Sequence, residues 1–199
     1  MKRRIANHGR RMFVLQALAA CGAAACGQRA PAETQAGELP KPVSVKIENF
    51  DAAGRSQGTV EVLSVVKSDE QWKKQLSPLA FNVTRREGTE FAFSGALNSN
   101  HESGLYRCVC CDTALYDSKT KFESGTGWPS FWQPISKLNV RETSDDSLGM
   151  RRVAVSCTRC RAHLGHVFDD GPRPTGLRYC MNSVALAFVP RAGAAAGGG

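Results

Sequence analysis

Eight cysteines and four histidines are the side chains here with the widest chemical reach, and their spacing sorts them. Cys108 and Cys111 form one C-x-x-C pair, and Cys157 and Cys160 form another. A gap of two residues lets both sulfurs of a turn reach one ion. Four thiolates fill the tetrahedral shell of a structural zinc, which then has no open position for catalysis. Two disulfides or two redox-active thiol pairs would use the same residues. The 45 residues between Cys111 and Cys157 exceed those of a compact zinc ribbon, so a shared ion would staple distant parts of the chain. Cys110 reads either as a small bystander beside the first pair or as a thiol that recycles another cysteine.

Cys180 stands apart from these pairs. Arg178-Tyr179-Cys180-Met181-Asn182-Ser183 runs into Val184, Leu186 and Phe188, a strand-like stretch in which alternation puts Arg178, Cys180 and Asn182 on one face. A guanidinium beside a thiol favours thiolate, so a lowered pKa is expected. The bland alternative is an inert buried cysteine. His163 and His166, three residues apart in Arg161-Ala162-His163-Leu164-Gly165-His166-Val167-Phe168, suit proton donation or ordinary packing.

Short strands must carry these groups. From Phe91 to Phe188 the chain shows β-type runs broken by Gly, Asn, Asp and Pro, with no long amphipathic helix. The fold class is therefore mainly β, built from antiparallel sheets. Val43, Val45 and Ile47 alternate with polar residues as a half-buried strand does, and Thr59 to Val66 forms a second run. Ser68 lies three residues before Gln71, a reciprocal capping arrangement that predicts a short helix from Asp69 to about Leu76. Ser77-Pro78 signals a second helix start.

Four strings taken in order resemble the motifs of peptide methionine-R-sulfoxide reductases: Cys108 to Cys111, Gly125-Thr126-Gly127-Trp128-Pro129-Ser130-Phe131-Trp132, His163 to Phe168, and Gly176 to Ser183. The resemblance spans about Lys67 to Pro190. It implies a tent-like or barrel-like β fold with short N-terminal helices and a structural zinc site of four cysteines. It also implies that Cys180 attacks the sulfoxide sulfur and that His163 and His166 protonate the oxygen. Asp170 and Arg178 would orient that network, Asn182 would hold substrate or water, and Trp128 would wall the S-methyl group. The Cys180 sulfenic acid so formed needs a reductant. Many members of the family place a resolving cysteine where this chain has Thr126, so a thioredoxin-like external dithiol is expected, with Cys110 as the internal alternative. The rival readings are a non-catalytic zinc-bearing β module that binds a partner and a thiol oxidoreductase working through its C-x-x-C pairs.

Charge adds an address. Five of the 26 Lys and Arg fall in the first twenty residues, leaving 21 bases against 18 acids beyond them. That near balance argues against nucleic acid as a partner. The bases precede an apolar run from Met12 to Ala20, the layout of a secretory signal and too short to span a bilayer. Arg10-Arg11-Met12-Phe13-Val14-Leu15 resembles a twin-arginine export signal, and Leu18-Ala19-Ala20-Cys21 resembles a lipoprotein box. Cleavage elsewhere, with Cys21 discarded, is the plainer reading. The expected organisation is an export signal over 1–20, a tether over 21–42, a β extension over 43–66, a catalytic domain over 67–190 and a loose tail over 191–199. A monomer placed in the periplasm, or tethered to a membrane facing out of the cytoplasm, is the corresponding expectation.

Overall fold

Two short helices precede the main β region as their caps predict. In the computed structural model, which describes residues 39–146 and 152–191, helix α1 spans Asp69–Gln75 and α2 spans Pro78–Arg86. The Ser68 hydroxyl accepts from the Gln71 N–H, and the Gln71 side chain accepts from the Ser68 N–H. Ser77 accepts from Ala80, with Pro78 at the first helical turn, where its missing N–H removes no hydrogen bond. The expected export signal, nearly all of the tether and residues 192–199 lie outside the described residues.

The remainder is antiparallel β, as the broken hydrophobic runs imply. Strands β1 (Ser44–Phe50) and β2 (Ser56–Leu63) form a hairpin. The second strand starts and ends three residues earlier than its composition suggests. Asp51 sets this register: its carboxylate accepts from the backbone N–H groups of Ala53 and Arg55 and closes a turn before Ser56. Buried Asn139 ties the hairpin down, giving hydrogen bonds to the Glu48 and Ala114 carbonyls and accepting one from the Glu48 N–H.

A three-stranded sheet contains β3 (Gly104–Cys108) between β4 (Ala114–Asp117) and β11 (Leu186–Pro190). A six-stranded sheet runs in the order β5 (Lys121–Phe122), β6 (Ser130–Phe131), β10 (Arg178–Met181), β9 (His163–Phe168), β8 (Arg152–Cys157) and β7 (Val140–Asp145). Aromatic rings join the two sheets. Tyr116 stacks on Phe131 with centroids 4.4 Å apart, Tyr106 meets Phe131 edge-on at 4.9 Å, and the Tyr116 hydroxyl donates to the Met181 sulfur at 3.1 Å. Such pairs add specific geometry to the burial of apolar area. Arg191, which composition assigns to the tail, is instead bound to both carboxylate oxygens of Asp117 and to the Ala53 carbonyl.

Phe131 is fully buried at the centre of this cluster. Phe131→Ala is expected to lower stability by about 3–5 kcal/mol, read by urea unfolding. A loss near that of a surface substitution would contradict this placement of the core.

Candidate active site and metal centre

The period of two along β10 decides where its side chains go. Tyr179 and Met181 enter the aromatic core, so half-buried Cys180 faces the other side of the sheet. Ser130 on β6 and His166 on β9 are its direct partners across the strands. Residues paired in this way share a face, so hydroxyl, thiol and imidazole form one row across three strands. Gly165 lets β9 come close: a Cβ there would lie 2.1 Å from the Cys180 carbonyl oxygen.

A cleft of about 130 Å³ opens on this row, lined by Trp128, Phe168, Arg152, His166, Cys180 and Asn182 among others. Larger polar hollows of about 300 and 380 Å³ lie elsewhere, and Cys180 lines neither. The small apolar-walled cleft is the one that Cys180 lines.

The expected lowering of the Cys180 pKa is not what the structure gives. Burial pushes the thiol above its ordinary range, and this outweighs the opposing pull of the Thr126 hydroxyl and then of Arg178. Arg178 is already committed elsewhere. It makes two 2.8 Å bonds to Asp170 and lies over the Phe168 ring at 4.4 Å. Its charge at the sulfur is thus partly matched by a carboxylate. The Asp170 carboxyl is correspondingly held below its usual value, chiefly by its hydrogen bond with Arg178.

The two histidines are brought together but placed differently. Opposite Val155 and Ser156, β9 carries an extra residue, and this bulge takes His163 out of simple alternation. Its ring sits 5.3 Å from that of His166. His163 is buried, does not line the Cys180 cleft, and has an Nε2 with no hydrogen-bond partner. Burial, reinforced by His166, lowers its pKa to about 4. It is therefore neutral near neutral pH. His166 lines the cleft, and its Nε2 lies 2.7 Å from Asp145 Oδ2, which also accepts from Arg152 at 2.8 Å.

Asn182 is held by the backbone rather than left open to a ligand. Its amide nitrogen donates to the Leu164 carbonyl at 3.0 Å, and its oxygen accepts from the Glu90 N–H at 2.9 Å. Buried Glu90 was not among the residues singled out above, yet it knits the cleft. Its carboxylate accepts from the Ser183 and Val184 N–H groups, and its carbonyl accepts from the Trp128 indole at 3.2 Å. Trp128 is thereby fixed at the cleft wall. Asp145, Arg152, Ser124 and Ser130 were missed in the same way. None stands in a motif that advertises its role, apart from Ser130 in the tryptophan string.

The four paired cysteines converge as expected. Their sulfurs all lie within 4.8 Å of one another, with Cys108–Cys160 at 3.6 Å and Cys111–Cys157 at 3.5 Å. A tetrahedron with metal–sulfur bonds of about 2.3 Å has edges of about 3.8 Å, so the set fits a tetrahedral metal ion. All six described cysteines are free, with no disulfide among them. Cys110 is buried against this cluster, where its thiol engages Cys108, Cys160 and Thr84.

Comparison with known proteins matches the SelR domain over residues 76–190. The peptide methionine sulfoxide reductase MsrB of Leptospira interrogans is 54% identical over 124 residues, covering 62% of this chain and 95% of its own. The chain belongs to the MsrB family. Further members include the MsrB of Pseudomonas putida, 56% identical over 128 residues (64% of this chain, 96% of that one), and that of Thioalkalivibrio sulfidiphilus, 56% identical over 121 residues (61% and 88%). Both the cysteine cluster and the Cys180 row fall inside the family match.

The neutral state of His163 has a consequence for folding. Between its ordinary 6.5 and about 4, the unfolded chain binds a proton that the folded chain refuses. Stability should therefore fall as pH drops from 6.5 towards 4, with this contribution fully lost below about 4. In urea unfolding at pH 7 and pH 5, His163→Gln should lose less stability on acidification than the parent chain. Equal losses would contradict the assignment.

Proposed function

We propose that the chain reduces the R epimer of methionine sulfoxide in proteins and peptides, with Cys180 as the nucleophile. The observation that carries this reading is Cys180 level with His166 on the Trp128-walled cleft, with Ser130 buried beside it, within a family of methionine sulfoxide reductases. Reductases of this kind divide by sulfoxide epimer, and the R assignment follows the family.

The Cys180 thiolate attacks the sulfoxide sulfur while the substrate methyl rests against Trp128, where a sulfur–aromatic contact is favourable. As the new bond between the two sulfurs forms, His166, oriented by Asp145, gives its proton to the sulfoxide oxygen. The hydroxyl then passes from the methionine sulfur to the Cys180 sulfur while the bond between the sulfurs breaks with its electron pair going to methionine, so methionine leaves and Cys180 is left as a sulfenic acid. Neutral His163 supports His166 rather than donating the proton itself. Asp170 holds Arg178, and Asn182 holds the substrate side of the cleft through its ties to Leu164 and Glu90.

An external dithiol of thioredoxin type then reduces the sulfenic acid, releasing water and leaving a disulfide on the reductant. Thr126 offers no sulfur, and the polar neighbours of the Cys180 thiol, Thr126, Arg178 and Ser130, include no cysteine. Cys108, Cys111, Cys157 and Cys160 hold one structural zinc ion per chain. Residues 1–20 direct export, Cys21 carries a lipid, residues 21–42 form the tether, and the 67–190 domain acts as a monomer outside the cytoplasm behind its 43–66 extension.

The parent chain should reduce the R and not the S epimer, and Cys180→Ser should lose more than about a thousandfold in turnover. Cys110→Ser should leave turnover with a thioredoxin-like donor unchanged, whereas its collapse would make Cys110 the resolving thiol. A chain without reductase activity that still binds oxidised protein would favour a binding module. Metal analysis should find one zinc per chain, and Cys157→Ser should release it and lower the melting temperature.

A further inference from the structure

A chain of hydroxyls ends on the Cys180 sulfur. Thr126 Oγ1 lies 3.8 Å from Sγ, Ser124 Oγ lies 2.8 Å from Thr126 Oγ1, and Ser130 Oγ lies 2.8 Å from Ser124 Oγ. At the far end the Ser130 hydroxyl donates to the Trp128 carbonyl at 3.1 Å. Ser130 is fully buried, and Ser124 and Thr126 are half-buried.

Each hydroxyl has one proton to give, so the direction of the chain can be counted. With Ser130 donating to Trp128, Ser124 must donate to Ser130, Thr126 must donate to Ser124, and the thiol must donate to Thr126. Loss of the sulfur proton to solvent removes the only donor to the Thr126 oxygen among the described residues. The whole chain can then turn round: Ser130 donates to Ser124, Ser124 to Thr126, and Thr126 to the thiolate.

Among the described residues, the charged groups around the sulfur have carboxylate partners, although Arg178 still reaches the thiol. Arg178, on the same strand, is bound by Asp170. His166, opposite on β9, is bound by Asp145, and Asp145 also accepts from Arg152 across the cleft. On the β6 side stand Ser130 and, through the loop, Ser124 and Thr126, all of them neutral donors. A hydrogen bond given to the charged form favours that form, and a chain of such bonds strengthens each member.

We propose that Thr126 is a catalytic group whose hydroxyl donates a hydrogen bond to the Cys180 thiolate and keeps its own proton, and that Ser124 and Ser130 position it by reversing direction when the thiol ionises. The inference deepens the proposed function, since it assigns to Thr126 the activation of that same nucleophile. The position thus has a use other than resolving the sulfenic acid.

The test is alkylation of the full zinc-loaded chain by iodoacetamide across pH, read at the Cys180 peptide by mass spectrometry. Thr126→Val should move the alkylation midpoint upward by about one pH unit, the scale of a hydrogen bond to a charged group. Thr126→Ser should keep the parent midpoint, and Ser124→Ala should shift it upward by less. An unchanged midpoint in Thr126→Val, or an equal shift in Thr126→Ser, overturns the proposal. If Thr126→Val does not fold, Ser124→Ala decides: an upward shift supports the chain and no shift overturns it. Alkylation reads the thiol directly, so a parent chain without reductase activity counts against the proposed function and not against this assignment.

Discussion

Strand β10 is held from beneath by rings. Tyr179 and Met181 lock into the cluster made by Tyr116, Tyr106 and Phe131, and Cys180, between them in sequence, has only the opposite face to occupy. That anchoring sets the height and direction of the sulfur, and the other parts of the site are arranged around it. Ser130 and His166 reach it because antiparallel pairing puts them level with it. Gly165 keeps β9 close enough for that pairing to hold. A sulfur placed in this way is held firmly because its neighbours on the same strand are core residues, and that suits the proposed role of a reacting atom that must meet a substrate at fixed geometry.

Rigidity of this kind has an electrostatic consequence. A thiol embedded beside a packed sheet loses water, and burial drives its pKa up. A single arginine does not reverse this, because Arg178 is shared with Asp170 and with the face of Phe168. The opposing influences are small and numerous, and hydroxyl donors contribute beside the charge. The same balance separates the histidines. Burial keeps His163 neutral, while His166 faces the cleft with a carboxylate behind it.

The sequence carried the local features well. Both helix starts were legible because Ser68, Gln71, Ser77 and Pro78 act on backbone groups within three residues. The metal-fitting cysteines were legible because a C-x-x-C spacing is itself geometric, and the convergence of two pairs across 45 residues needed only the assumption of a shared ion. Motif resemblance located Trp128 and the histidine string. Contacts between distant polar residues were not legible. Glu90 meets Asn182 and Ser183 from more than 90 positions away, and Asp145 meets His166 across the β8 strand that lies between them. The bulge that separates the two histidines also left no mark, because an extra residue in a strand looks like any other residue until its partner strand is known. The raised pKa of Cys180 was not legible for a related reason. Arg178 was visible two positions away, whereas its engagement by Asp170 and the burial of the thiol were not.

The most direct measurement follows the oxygen atom. The full chain, fully reduced and freed of external thiol, is mixed with a peptide containing methionine-R-sulfoxide, quenched, and its cysteine peptides weighed. A chain that works through Cys180 gains one oxygen on the Cys180 peptide for each methionine released, with Cys108, Cys110, Cys111, Cys157 and Cys160 unchanged. Methionine released with Cys180 unmodified, or with the oxygen or a disulfide at the paired cysteines instead, contradicts the assignment of Cys180 as the nucleophile.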